Sequence, residues 1–225
     1  MFASIITDRT LQYPEANTYY SPSIRYPEYK FSHISEKENS IYNAFRNTLI
    51  QAGLDKEKFG MPNWNPLGEF IKPGQKVFIL CNFVYHRRHQ ESLKNFYGKC
   101  THASILRALI DYIYLATGPN VIISFGNAPI QTCIWEKVLE DTGAYKLIEF
   151  YKLNSVKVEA KDLRLLITDR NLFGQLKTSK VISNAEATLI DLKEKSLLEE
   201  LYKKDSKVRF RVSDYNPDRI ECFHG

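Results

Sequence analysis

The strongest constraint on the fold is a pair of short apolar runs separated by one amphipathic helix. "KVFILCNFVYH" is almost continuously apolar from Val77 to Val84, and "NVIISFG" repeats the pattern from Val121. Runs of this length and β-branched content predict strands, and a near-continuous run predicts a strand buried on both faces, as in parallel sheets. Between them, "THASILRALIDYIYLATG" reads as a helix, with Thr101 as N-cap, Ile105, Leu109 and Ile113 on one face, and Gly118 as stop. Two further helical segments, "IWEKVLEDTG" and "AYKLIEFYKLN", break at Gly143 and lead into a third strand in "VKVEAKDLR". This alternation predicts an α/β fold, a mostly parallel sheet with flanking helices built from βαβ units.

Before the first strand, "SEKENSIYNAFRNTLIQAG" predicts a helix, with Ser35 and Glu38 in capping-box spacing and Gly53 as its end. "GMPNWNPLGEFIKPGQK" reads as loop. Residues 1–34 are rich in Tyr and Pro, with "YPE" twice; proline opposes regular helix there. They are expected to form an N-terminal arm packed on a single domain spanning 35–225. Late in the chain "SLLEELYKK" reads as helix and "KVRFRVSDY" as an alternating strand.

The chain of 225 residues has 31 basic and 26 acidic side chains, a net charge of +5, with 14 Tyr and 13 Phe. The excess is spread out, and the densest basic stretch, "YHRRHQ", holds two arginines, so a nucleic-acid surface is not expected. The four cysteines form no CxxC pair, no apolar run approaches a membrane span, and the start does not read as a secretory signal. These features predict a cytoplasmic protein with reduced thiols. The dinucleotide motif GxGxxG, the P-loop, GxSxG and HExxH are all absent. No cofactor is assigned by the sequence.

Ligands of open parallel sheets bind beyond the carboxyl ends of the strands, where helix N-termini present free N–H groups. That rule selects "CNFVYH" with Asn82, Tyr85 and His86, "CTH" with Thr101 and His102, and "GNAPIQTC" with Gly126, Asn127, Gln131 and Thr132. His102 and Asn127 are the candidate catalytic groups. His102 at a helix N-terminus is suited to donate to an anion or relay a proton, or else it is a capping neighbour. Asn82, Thr101, Gly126, Gln131, Thr132 and Arg164 are the candidate ligand-binding residues, with Arg164 clamping a polar ligand or pairing with Asp162 on the surface. Cys81, His86, His89, Cys100 and His102 offer metal-ligand chemistry, but their spacing matches no familiar zinc pattern, and no metal is assigned. Cys133 has no visible base partner as a nucleophile.

The order of "NPLGEFIKPGQKVFILCNFV", "THASILRALIDYIYLATG", "VIISFGNAPIQTC", "DLR" and "YNPDRI" resembles the domain of unknown function 362 family, in a branch encoded beside bacterial surface-polysaccharide genes. The resemblance runs from about Tyr42 to the end. It implies a role in cell-surface polysaccharide biosynthesis, binding or acting on a small anionic or sugar-type ligand, without assigning a reaction. Members usually have Lys-Pro-Asn where this chain has Leu80, Cys81 and Asn82, and Gly-Asp-Ala-Pro where it has Gly126, Asn127, Ala128 and Pro129. Thr101 and His102 are kept. Relatives continue into a second half, so the domain is expected to be incomplete at its C-terminus. A non-catalytic binding or assembly protein is the alternative, and a metal-binding or redox protein a third reading.

Overall fold

The structure, a computed structural model, describes residues 4–164, 166–170, 173, 175–181 and 195. Apart from Lys195 these belong to the unit Met1–Ser183. The readings of "SLLEELYKK", "KVRFRVSDY" and "YNPDRI" lie outside the described residues.

Strands β1 (Lys76–Leu80), β2 (Ile122–Asn127) and β3 (Lys157–Asp162) form a parallel sheet in the order β1-β2-β3. The α/β class expected from the sequence is observed. Register sets Val77 beside Ile123 beside Val158, and Ile79 beside Phe125 beside Ala160. Because side chains alternate across a strand, these six share one face, and all six join the main core. Onto it pack Leu106, Ile110 and Ile113 of α3 (Ala103–Thr117) and Leu147, Phe150 and Tyr151 of α5 (Ala144–Leu153).

The first crossover runs through a short α2 (Leu93–Tyr97) and α3, the second through α4 (Trp135–Asp141) and α5. In a 1-2-3 order, two crossovers of the same right hand place both helical layers on one face. Burial agrees: on the opposite face Phe78 is 45% and Leu80 is 73% exposed. The expectation that β1 is buried on both faces is therefore corrected. The apolar run from Val77 to Val84 spans two different structures. Its first half is a strand with one buried face; after Leu80 the chain leaves the strand and plunges Cys81 and Phe83 into the core, Phe83 bridging to Cys100. A separate antiparallel hairpin joins β4 (Leu166–Arg170) and β5 (Leu176–Val181), with a bulge at Ile167/Thr168.

Two helix starts differ from the sequence reading. The first helix, α1 (Ser40–Gln51), is capped by Asn39, whose side chain accepts from the Tyr42 N–H, while the Ser35 hydroxyl accepts from the Lys37 N–H in a turn of its own. α3 is capped by His102 rather than Thr101. In both cases the residue nearest the helix with a free acceptor takes the cap, and the more distant hydroxyl is used elsewhere. Gly143, at φ +80°, separates α4 from α5 as expected, a left-handed position that suits glycine. Among the described residues no helix is long and apolar enough to cross a membrane.

The N-terminal residues are fastened by two buried ion pairs. The Arg107 side chain, 0% exposed, donates from Nε to both Asp111 oxygens (3.0 and 3.1 Å), from Nη1 to the Tyr19 carbonyl (2.8 Å) and the Ser21 hydroxyl (3.0 Å), and from Nη2 to the Tyr29 hydroxyl (2.7 Å). Asp111 also accepts from the Tyr42 and Tyr151 hydroxyls, at 2.9 and 2.6 Å. Burial works against the Arg107 charge, but Asp111 together with Tyr151, Tyr29 and Tyr42 outweighs it, so the guanidinium pKa is raised. Nearby, Arg46 donates to Glu28 at 2.7 Å, Tyr112 donates to the same carboxylate, and the guanidinium lies over the Tyr26, Phe59 and Trp64 rings. Every polar group in these clusters that burial strips of water gains a partner, which is the condition for burying charge.

Candidate functional site

The loops that follow the three strands interlock at the carboxyl edge of the sheet. The Cys81 N–H donates to the Gly126 carbonyl (2.9 Å), and the Asn82 and Thr101 segments pair through Thr101 N–H to Asn82 O (2.8 Å) and Asn82 N–H to Thr101 Oγ1 (3.0 Å). The Ile130 N–H reaches Val84 O at 3.0 Å, and the Tyr85 hydroxyl lies 3.3 Å from both oxygens of Thr132. From β3, the Leu163 N–H donates to Asn127 O at 2.9 Å and Arg164 Nη1 to Cys133 O at 3.0 Å. Thr132 sits at φ +72°, a strained backbone for a β-branched residue, held by these contacts. Asn82, Thr101, Gly126, Asn127, Gln131, Thr132 and Arg164 thus fall on one edge, as the topology predicts.

Their atoms are largely committed to that edge. Arg164 is 3% exposed and points Nε and Nη2 at Asp162 while Nη1 holds Cys133 O, so its fork fastens the loop from inside. The pairing with Asp162 foreseen as a surface contact is buried, with side-chain exposures of 2% and 8%. Gly126 stands where a Cβ would overlap the Lys161 carbonyl oxygen, so β2 and β3 approach this closely only because it has no side chain. Asn127 Oδ1 accepts from the Ala128 N–H at 2.7 Å, shaping the turn after β2. Asn82 is exposed beside it.

His102 makes its side-chain contacts with a different set of residues. Its Nδ1 accepts the Ser104 N–H at 3.1 Å and lies 2.8 Å from the Ser104 hydroxyl. Tyr13 stacks on the ring at 4.2 Å, and Tyr20 and Tyr97 meet it edge-on. The imidazole is 4% exposed, and burial holds its pKa down at about 4. Capping and packing account for Nδ1 and for the ring's surroundings.

The Cys/His group is not assembled. Among the described residues, no three of His, Cys, Asp or Glu come together in a way that could hold a metal ion. Cys81 directs its thiol to the Ile79 carbonyl. The Cys100 thiol donates to Tyr85 O, and the Cys133 sulfur accepts from the His86 N–H, each at 3.3 Å. Those two thiols grip opposite sides of one peptide bond. Burial raises the pKa of all three, that of Cys81 to about 12, so none is a thiolate at neutral pH.

Beside the interlocked loops lies an open groove of about 530 Å³, lined by Arg87, Arg88, His89, Gln90, Lys137, Glu140 and Asp141. Its loop is set by carboxylates: Asp141 accepts the Arg87 N–H (2.8 Å), and Glu91 accepts the Arg88 N–H (2.9 Å) and the Lys99 ammonium (2.8 Å). The charged ends of Arg88 and Lys137 form no ion pair with described residues. His86 registers the resulting field. Its pKa is lowered by burial first, then by the nearby Lys137 charge, with Lys99 and Arg88 adding to it and Asp141 opposing. The sequence marked "YHRRHQ" as a modest charge cluster and as the source of two candidate metal ligands, His86 and His89. The missing signal was topological: α4 starts directly after the β2 loop, which brings Lys137 in its first turn to the same edge as the loop after β1.

Comparison of the chain with protein-family models, with curated proteins and with solved structures finds no match in any of the three.

Proposed function

We propose that this protein binds a small anionic, phosphorylated or carboxylated sugar-type ligand at the carboxyl edge of its parallel sheet. The supporting observation is the groove in which Arg88 and Lys137 stand without ion-pair partners among the described residues, close to a His86 whose charged form is disfavoured first by burial and then by those cations. The lining sets Arg87, Arg88 and Lys137 against Glu140 and Asp141, and a local excess of one sign of charge concentrates ligands of the other. The resemblance to the domain of unknown function 362 family supplies the pathway, cell-surface polysaccharide synthesis. The test is calorimetric titration of the full chain with inorganic phosphate and with a hexose 1-phosphate at low salt. Saturable binding that Arg88→Glu/Lys137→Glu abolishes, with unchanged circular dichroism, supports the reading; binding unaffected by that double variant, or none, defeats it.

One observation favours binding without catalysis. Asn127 holds an amide where the resemblance leads one to expect a carboxylate, and its oxygen is engaged by the Ala128 N–H. Asn127→Asp separates the two versions: turnover of a bound ligand gained by this substitution marks a lost acid–base site, while unchanged binding without turnover marks a binding protein.

A further inference from the structure

The two histidines of this edge are held by the same device and differ in what surrounds them. In each, Nδ1 accepts a backbone N–H: from Ser104 at His102 (3.1 Å) and from Ile134 at His86 (3.1 Å). A nitrogen that accepts cannot carry the proton, so in the neutral ring Nε2 carries it. At His102 the ring is enclosed by Tyr13, Tyr20 and Tyr97. At His86 one face stacks on Tyr85, with centroids 4.2 Å apart, while the residue stays partly exposed. Its own N–H is anchored on the Cys133 sulfur. Ring plane, tautomer and backbone are therefore all fixed before any ligand arrives. The charged groups about it are Lys137 and Asp141 from α4, Arg88 from its own loop, and Lys99.

We propose that His86 is the neutral hydrogen-bond donor of the anion site, its Nε2–H serving an oxygen of a phosphate monoester that also engages Arg88 and Lys137. This rests on the functional reading above and sharpens it. Arg88 and Lys137 line the groove and His86 adjoins them: its ring is pinned to Ile134, three residues before Lys137, and stacks on Tyr85, over which the Arg88 guanidinium lies at 5.4 Å. A tetrahedral phosphate has three terminal oxygens to meet them, one more than a carboxylate. A donor that stays neutral among cations adds direction without adding repulsion, a use of imidazole seen where a helix or a cation suppresses its charge.

Long-range proton–nitrogen NMR of the ¹⁵N-labelled full chain at pH 7 tests this directly. The expected result is an Nε2–H tautomer at His86 in the free protein. Saturating inorganic phosphate then shifts the His86 Nε2 and its proton and leaves His102 unmoved. A hexose 1-phosphate that shifts the same signals at lower concentration identifies a sugar phosphate rather than free phosphate as the better occupant. His86→Phe, which keeps a ring on Tyr85, should weaken phosphate binding about tenfold or more, the scale of one hydrogen bond to a charged group. An Nδ1–H tautomer at His86, or phosphate binding that leaves the His86 signals in place, overturns the inference. If phosphate binds, is lost in Lys137→Glu and is unchanged in His86→Phe, the anion groove survives and the role of His86 does not. If phosphate does not bind at all, both fall. Should His86→Phe fail to fold, the wild-type spectra alone decide.

Discussion

Replacing Asp111 by asparagine changes the shape of one buried side chain by almost nothing and removes its charge. Arg107 then remains fully buried with its fork still aimed at Tyr19, Ser21 and Tyr29, but with no anion beside it. Breaking a buried pair in this way costs about 3–5 kcal/mol, because an uncompensated charge is left behind. Against a total stability of about 5–15 kcal/mol, that is a large share. With a urea dependence of about 1–3 kcal/mol per molar, the unfolding midpoint should fall by roughly 2 M. The assay is urea unfolding at pH 7 followed by far-ultraviolet circular dichroism, run beside the double variant Arg107→Met/Asp111→Leu. The double variant removes both charges and should recover part of the loss. Recovery stays incomplete, since the Tyr19 carbonyl and the Ser21 and Tyr29 hydroxyls lose their donor and the Tyr42 and Tyr151 hydroxyls lose their acceptor. A loss below about 1 kcal/mol in Asp111→Asn, or a double variant no more stable than the single one, would refute the reasoning.

His102→Asn keeps a good N-cap and removes a histidine whose folded pKa, about 4, lies below its ordinary 6.5. A base with a depressed folded pKa contributes stability that is complete above pH 6.5 and lost as pH falls towards 4, so wild type minus variant should slope upward with pH across that window by about 3 kcal/mol in all; a flat difference curve contradicts the burial of this ring. Arg164→Met leaves the Asp162 carboxylate buried and unpaired, and melting should drop by roughly 10 °C from a loss of about 3–5 kcal/mol, whereas a change within 2 °C or so means the pair is not sequestered. Gly126→Ala forces β2 away from the Lys161 carbonyl and should destabilise by at least about 1–3 kcal/mol in the same melting assay; a neutral result would show that the two strands can part there freely.

The parts of the fold that the sequence made legible are those in which periodicity and breakers agree. β2, α3 and the α4–α5 break at Gly143 each carry a pattern and a stop within a few residues of each other. β1 was legible as a strand but misread in depth, because Cys81 and Phe83 are apolar for a different reason from Val77 and Ile79: they enter the core from a loop. The helix starts slipped where two acceptors competed for one cap, Ser35 with Asn39 and Thr101 with His102. At the carboxyl edge, topology predicted the gathering of Asn82, Thr101, Gly126, Asn127, Thr132 and Arg164. It did not predict their use, since whether a guanidinium faces a ligand or a carbonyl depends on side-chain directions that spacing leaves undetermined. Arg88 and Lys137 are 49 positions apart in the chain, so no local pattern relates them.

The ion pair that fastens the N-terminal residues also dictates an order of events during synthesis. Tyr19 and Arg107 are separated by 88 positions, and Tyr19 and Glu149 by 130. On a ribosome adding roughly 5–20 residues per second, the tyrosine-rich beginning emerges roughly 4–20 s before the guanidinium that will hold it exists. For that interval Tyr19 lacks its Arg107 partner, while Tyr26 and Tyr29 have Tyr42 and Arg46 of α1 to meet. This earlier-made segment thus completes its native contacts only after α3 and α5 are translated and packed.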